Sequence, residues 1–106
     1  MTYEAVIVAL ADPTRRAMFQ RLRRRPHTVG ELAALVAVSQ PAVSQHLSVL
    51  REARLVVHEA QGTSRHYRAS REGLDELRAW CESMWDEVLA AYAADDPAPP
   101  RRRKTR

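Results

Sequence analysis

Ser39, Gln40, Ser44, Gln45 and Ser48 place five short hydroxyl and carboxamide side chains within ten residues of one another. Such groups both donate and accept hydrogen bonds, the chemistry that reads base edges on the floor of a DNA major groove, and Ala42 among them offers a methyl contact for thymine. Val43, Leu47 and Leu50 recur between them at i, i+4 and i+7, so a helix over about 40–53 buries that stripe and turns the polar residues outward. Ser39-Gln40-Pro41 is a capping residue followed by an early proline, a helix start whose unpaired N–H groups and positive dipole end favour a phosphate. His46 and Arg51 flank this helix as expected backbone contacts. A second group follows: Gln61, Gly62, Thr63, Ser64 and Arg65 have turn chemistry, between a stretch carrying Val56 and Val57 and one that alternates around Tyr67. That reads as a β-hairpin whose tip can approach phosphates or the minor groove, with Arg65 as the expected phosphate partner. A solvated polar face beside an ordinary hairpin is the plainer reading of both groups.

The elements that would position them argue for the sharper one. Tyr3, Val6, Ile7 and Leu10 share one face of a short helix over 2–10. Asp12-Pro13 then opens a second helix over about 13–24, with Met18, Phe19 and Leu22 inward and Arg15, Arg16, Arg21, Arg23 and Arg24 on its polar side. Pro26 breaks the chain, and Thr28 with Glu31 has the spacing of a capping box for a third helix over 29–36, burying Leu32, Leu35 and Val36. Only Ala37-Val38 separates that helix from Ser39, so the two form a helix-turn-helix and the hairpin becomes its wing. Ser70 caps a last helix over about 71–94, and the Pro- and Arg-rich stretch over 95–106 is expected to be a disordered basic tail. The expected fold is therefore mainly α with a β-hairpin wing, a winged helix-turn-helix over 1–94.

Charge follows the same divisions. The net charge of +4 is made of +6 over residues 1–71, −7 over 72–96 and +5 over 97–106, so the basic block coincides with the helix-turn-helix and wing. Among the large aliphatics there are only 10 Leu, 10 Val and 1 Ile in 106 residues, a thin core that favours a homodimer. The last helix carries the apolar stripe for it: Leu74, Leu77, Cys81, Met84, Trp85, Val88, Leu89 and Tyr92. Within that stripe Cys81 reads as a small hydrophobe and the tryptophans as packing. A single cysteine cannot form an internal disulfide, residues 1–10 lack an export signal, and no stretch approaches the ~20 apolar residues of a membrane span, so the cytoplasm is the expected location.

The runs Leu10-Ala11-Asp12-Pro13-Thr14-Arg15-Arg16, Thr28-Val29-Gly30-Glu31-Leu32, Ser39-Gln40-Pro41-Ala42-Val43-Ser44-Gln45-His46-Leu47-Ser48-Val49-Leu50, and Gly62-Thr63-Ser64-Arg65-His66-Tyr67-Arg68 resemble the ArsR/SmtB family of winged-helix repressors, over about residues 3–94. The resemblance implies a homodimer joined through its first and last helices, here Tyr3, Val6, Ile7 and Leu10 with the stripe of the last helix. It implies two recognition helices on an inverted-repeat operator in double-stranded DNA, repression by blocking RNA polymerase, and release by an inducer, which in the best-known members is a metal.

On that last point the chain departs from the pattern. Where the arsenic-type sensors carry two cysteines, this sequence has Thr28 and Gly30, and residues 71–94 contain no histidine for a zinc-type site. His27, His46, His58 and His66 are scattered, and each reads as a surface or phosphate-contacting group. No metal or cofactor is therefore expected, and the small-molecule inducer is left open. Two other classes remain beside a sequence-specific repressor: a non-specific or architectural nucleic-acid binder, for which the arginines alone suffice, and a winged-helix protein-interaction module. An enzyme is not expected, since the chain has no nucleophile–base pair, no glycine-rich phosphate loop and no paired carboxylates facing a cleft.

Overall fold

The computed structural model describes residues 3–95, so all but the first residue of the expected basic tail lies outside the described residues. Five helices and one hairpin follow in chain order: α1 (Tyr3–Ala11), α2 (Pro13–Leu22), α3 (Val29–Val36), α4 (Gln40–Glu52), β1 (Val56–Gln61), β2 (Ser64–Ala69) and α5 (Glu72–Asp95). This is the winged helix-turn-helix arrangement.

The helix starts form by side-chain capping. Asp12 Oδ1 accepts from the backbone N–H groups of Thr14 (2.7 Å) and Arg15 (3.1 Å). Thr28 and Glu31 make the reciprocal box, Glu31 N donating to Thr28 Oγ1 at 3.2 Å and Thr28 N to Glu31 Oε1 at 3.0 Å. Ser39 Oγ accepts from Ala42 N at 3.3 Å and Ser70 Oγ from Glu72 N at 3.3 Å. The endings are less regular. α2 stops at Leu22, short of the expected Arg24, where Arg24 N turns back onto the Arg21 carbonyl (3.0 Å) in a tighter three-residue turn ahead of Pro26. α3 ends on Ala37 and α4 is followed by Arg54, both left-handed (φ 59° and 61°), a conformation that costs a non-glycine residue about 1 kcal/mol.

Val6 and Ala9 of α1, Met18, Phe19 and Leu22 of α2, Leu32 of α3 and the Val43/Leu47/Leu50 stripe of α4 meet in one core with Leu55, Val56 and Tyr67. Leu32 is the only residue of α3 that is buried; Leu35, expected inside, lies past the edge of the packing in the last turn and is 42% exposed. The hairpin is antiparallel with Val56 opposite Ala69 and Gln61 opposite Ser64. A third strand-like segment joins its outer edge, since His27 N donates to Tyr67 O (2.9 Å) and Tyr67 N to His27 O (2.8 Å). His27 is thereby 3% exposed, with its Nδ1 against the Arg25 carbonyl at 2.9 Å, so it is a buried structural group and not the surface or phosphate-contacting histidine expected from its loop position.

α5 leaves the hairpin through a tight contact, Ser70 N donating to Leu55 O and Gly73 N to Arg54 O, both at 2.8 Å. It then lies along α1, where the rings of Tyr3 and Trp80 stack with centroids 4.5 Å apart and planes 6° from parallel. Among the described residues no helix is long and apolar enough to cross a membrane.

Candidate nucleic-acid interface

With Val43, Leu47 and Leu50 buried, the rotation of α4 sorts its other residues into an outer face and two flanks. Pro41, Ser44, Gln45 and Ser48 are exposed on the outer face. The side chains of Ser44, Gln45 and Ser48 form no hydrogen bond among the described residues, so their donors and acceptors are free for an external partner. Gln40 and Arg51, also exposed, turn to one flank. Gln40 leans over the first turn of α3, its Nε2 3.6 Å from where a β-carbon on Gly30 would stand, one turn before Ser44 on the same side of the helix. Ala42 and His46 turn to the opposite flank and are half-buried towards α1 and α2, with His46 Nδ1 3.4 Å from Arg15 Nη1. Ser39 stands at the helix start as its cap.

The wing presents the second set. Gln61, Gly62, Thr63, Ser64 and Arg65 are all exposed. Gly62 has φ 63° at the first position of a two-residue loop, the conformation that a type II′ hairpin turn requires and that glycine adopts without strain. Arg68 pairs with Glu59 across the hairpin at 3.6 Å. Arg65 and Arg51 have no carboxylate within ion-pair distance among the described residues, which leaves both charges available to an external anion. Between them lies His58, its ring 5.2 Å from that of Tyr67. Partial burial holds the His58 imidazole below its ordinary value, and the charges of Arg51 and Arg65 push it the same way, so it adds no positive charge to this surface near neutral pH.

The residues expected at a subunit interface divide. Val6 is fully buried in the chain's own core, because the short α1 must close over α2 and α4, and it therefore offers no surface to a partner. Leu10, Leu74 and Leu77 are half-buried against that same core, and Tyr3 is half-covered by Trp80. Ile7, Met84, Trp85, Val88 and Tyr92 are 40–48% exposed, and Cys81 is exposed beside them. Val8, which the periodicity of α1 did not single out, is the most exposed large hydrophobic residue at 62%.

The positions of the family's metal ligands hold no such donors. The Thr28 hydroxyl is engaged in its capping box, Gly30 has no side chain, and the described part of α5 contains no histidine, so these residues do not fit a metal. Among the described residues no group of three or more His, Cys, Asp or Glu side chains could hold one.

A helix with a short, outward, hydrogen-bonding face, set behind a three-residue turn from its supporting helix and beside an arginine-tipped hairpin, defines a winged helix-turn-helix DNA-binding protein and not an enzyme. Residues 10–59 match the helix-turn-helix domain family. The chain is 51% identical over 85 residues to the HTH-type transcriptional regulator Rv2034 of Mycobacterium tuberculosis, covering 80% of this chain and 79% of that protein. It is 33% identical over 92 residues to the arsenic resistance transcriptional regulator ArsR1 of Pseudomonas putida, covering 86% and 69%. The solved structure of an ArsR-like transcriptional regulator from Rhodococcus sp. RHA1 superposes with a TM-score of 0.74 at 30% identity, covering 89% of this chain and 92% of that one. The chain belongs to the ArsR/SmtB family of winged helix-turn-helix transcriptional regulators.

Proposed function

We propose that the protein is a homodimeric, cytoplasmic repressor that reads an inverted-repeat operator with one copy of α4 in each of two successive major grooves. The observation that carries this reading is the exposed Ser44/Gln45/Ser48 face of α4, whose hydrogen-bonding groups have no partner among the described residues and whose neighbours Arg51 and Arg65 carry unpaired charge. In this reading Ser44, Gln45 and Ser48 contact base edges. Arg51, Arg65 and the amide end of α4 at Ser39 hold phosphates on either side. Gln40 and Ala42, set on the flanks, contribute at the margin of the groove.

Dimerisation supplies the second half-site. Ile7 and Val8 on α1 and the stripe of Met84, Trp85, Val88 and Tyr92 on α5 are exposed large apolar side chains, more than a monomer of this size needs to leave in water. A second copy covering them through a two-fold axis would set two recognition helices about 34 Å apart, one turn of DNA. The likeness to transcriptional regulators supports occupancy of a promoter as the mode of action. Since Thr28, Gly30 and a last helix without histidine do not supply the family's metal ligands, no metal inducer is expected at those positions, and a small-molecule inducer is left open.

Footprinting on the promoter nearest the gene, with sedimentation of the free and bound protein, tests the proposal. Two protected half-sites in inverted repeat and a dimer mass support it. Equal affinity for that promoter and for random DNA at fixed salt would instead favour the architectural class.

A further inference from the structure

The last four carbonyls of a helix have no intrahelical partner, and in α1 those are the carbonyls of Val8, Ala9, Leu10 and Ala11. Two arginines from the next helix take all four. Arg15 Nε donates to Ala9 O at 2.8 Å and Nη2 to Val8 O at 3.3 Å. Arg16 Nη1 donates to Leu10 O at 2.8 Å and to Ala11 O at 3.3 Å. Their positive charges also lie at the negative end of the α1 dipole.

The two arginines differ in what is left over. Arg16 is exposed, whereas the Arg15 side chain is only 16% exposed and reaches further, its Nη1 lying 3.9 Å from Asp12 Oδ2 and 3.4 Å from His46 Nδ1 on α4. A guanidinium has five N–H donors and no acceptor, and it does not lose its proton in a protein. For this contact to be a hydrogen bond Nδ1 of His46 has to be the acceptor, with the ring proton on Nε2. The imidazole is half-buried on the α1-facing flank of α4, beside Gln45, and its Nε2–H is the group left to donate outward.

We infer that Arg15 is a positioning residue for DNA binding: by donating to His46 Nδ1 while gripping the end of α1, it fixes His46 as an oriented Nε2–H donor to a DNA phosphate. This rests on the reading of α4 as the DNA-contacting helix. It also joins the groove-facing helix to α1 through one rigid planar group, so that the position of the donor follows the position of α1.

The test uses full-length protein, the variants Arg15→Met, Arg15→Lys, His46→Ala and the double variant Arg15→Met/His46→Ala, and a random-sequence duplex of about three helical turns. Long-range proton–nitrogen spectra of the free protein should show His46 Nδ1 bare and Nε2 protonated, and a mixture of tautomers in Arg15→Met. Affinity for the duplex should fall about fivefold in Arg15→Met and about fivefold in His46→Ala, the scale of one hydrogen bond. The double variant should bind no more weakly than His46→Ala alone. Arg15→Lys, whose single donor centre cannot serve α1 and His46 together, keeps the charge and the fold if Arg15→Met does not, and should show the same mixed tautomer. A proton on His46 Nδ1 in the unaltered protein, or a double variant in which the Arg15→Met loss adds in full to the His46→Ala loss, would overturn the inference. A chain that bound no duplex would overturn the DNA reading itself, and the tautomer spectra would still report separately on the Arg15–His46 contact.

Discussion

A β-carbon on Gly73 would stand 2.5 Å from the carbonyl oxygen of Ala53. The start of α5 is therefore laid directly on the backbone that leaves the recognition helix, and the direction of the long helix is set by a contact that no side chain could enter. Helix propensity by itself would favour alanine at this position by about 1 kcal/mol. The contact is with backbone, which cannot yield as a side-chain tip would, and overpacking of this kind costs about 1–3 kcal/mol. Gly73→Ala should therefore lower the thermal midpoint by several degrees, measured at fixed protein concentration because a dimer's stability depends on it. A raised midpoint would show that α5 can shift away freely.

The exposed stripe on α1 and α5 makes a second prediction. Val88→Glu places a carboxylate in the middle of the surface formed by Met84, Trp85 and Tyr92, where a subunit contact would have to desolvate it. Sedimentation should show a folded monomer at concentrations where the unaltered chain forms the proposed dimer, and binding to a two-half-site duplex should weaken by far more than binding to a single half-site. A Val88→Glu protein that remained a dimer would move the interface off this face.

Asp12 gives a pH dependence whose sign can be worked out. The backbone N–H of Arg15 above all, then that of Thr14 and the charges of Arg15 and His46, hold the Asp12 carboxyl below its ordinary value of 3.8, against the opposing effect of burial. Because the folded state binds this proton less readily than the unfolded state, the stabilisation is complete above about pH 4 and is lost as pH falls through the folded value. Asp12→Asn keeps a capping acceptor and removes the titration. Unfolding of the two proteins at pH 6 and at pH 3 should show a difference at pH 6 that narrows at pH 3; a difference that widened in acid would contradict the cap.

The basic residues over 97–106 carry five of the chain's positive charges. Deleting that segment should lower affinity for operator and random DNA alike and flatten the salt dependence, each lost phosphate contact reducing the slope by about 0.9. A loss confined to the operator would mean that sequence reading resides in the tail.

Much of this architecture was legible because local chemistry and packing agree. Asp12-Pro13, Thr28 with Glu31, and Ser39 with Pro41 mark helix starts by capping groups that form as their spacing implies, and Val43, Leu47 and Leu50 give the buried side of α4. What periodicity cannot show is how far each helix reaches past the core. Leu35 and Val6 carry equally apolar side chains, yet one ends up outside and the other wholly inside. His27 looked like a loop histidine because its pairing partner, Tyr67, lies forty residues away in sequence. Arg15 looked like one of several arginines on a polar face, and its role depends on α1 ending beside α4, a tertiary fact. For the site, residue type located the outward face of α4, but only the folded structure shows that Ala42 and His46 line one groove with Arg15 beside Ser44, Gln45 and Ser48.

In the proposed complex the outer face of α4 reads base edges while the wing holds phosphates, and competition titration of Gln45→Ala and Arg65→Ala against operator and random duplexes at one salt concentration separates the two roles. Gln45→Ala should reduce the operator-to-random affinity ratio by about 1–3 kcal/mol, and Arg65→Ala should weaken both duplexes nearly equally. An unchanged ratio in Gln45→Ala would contradict the account.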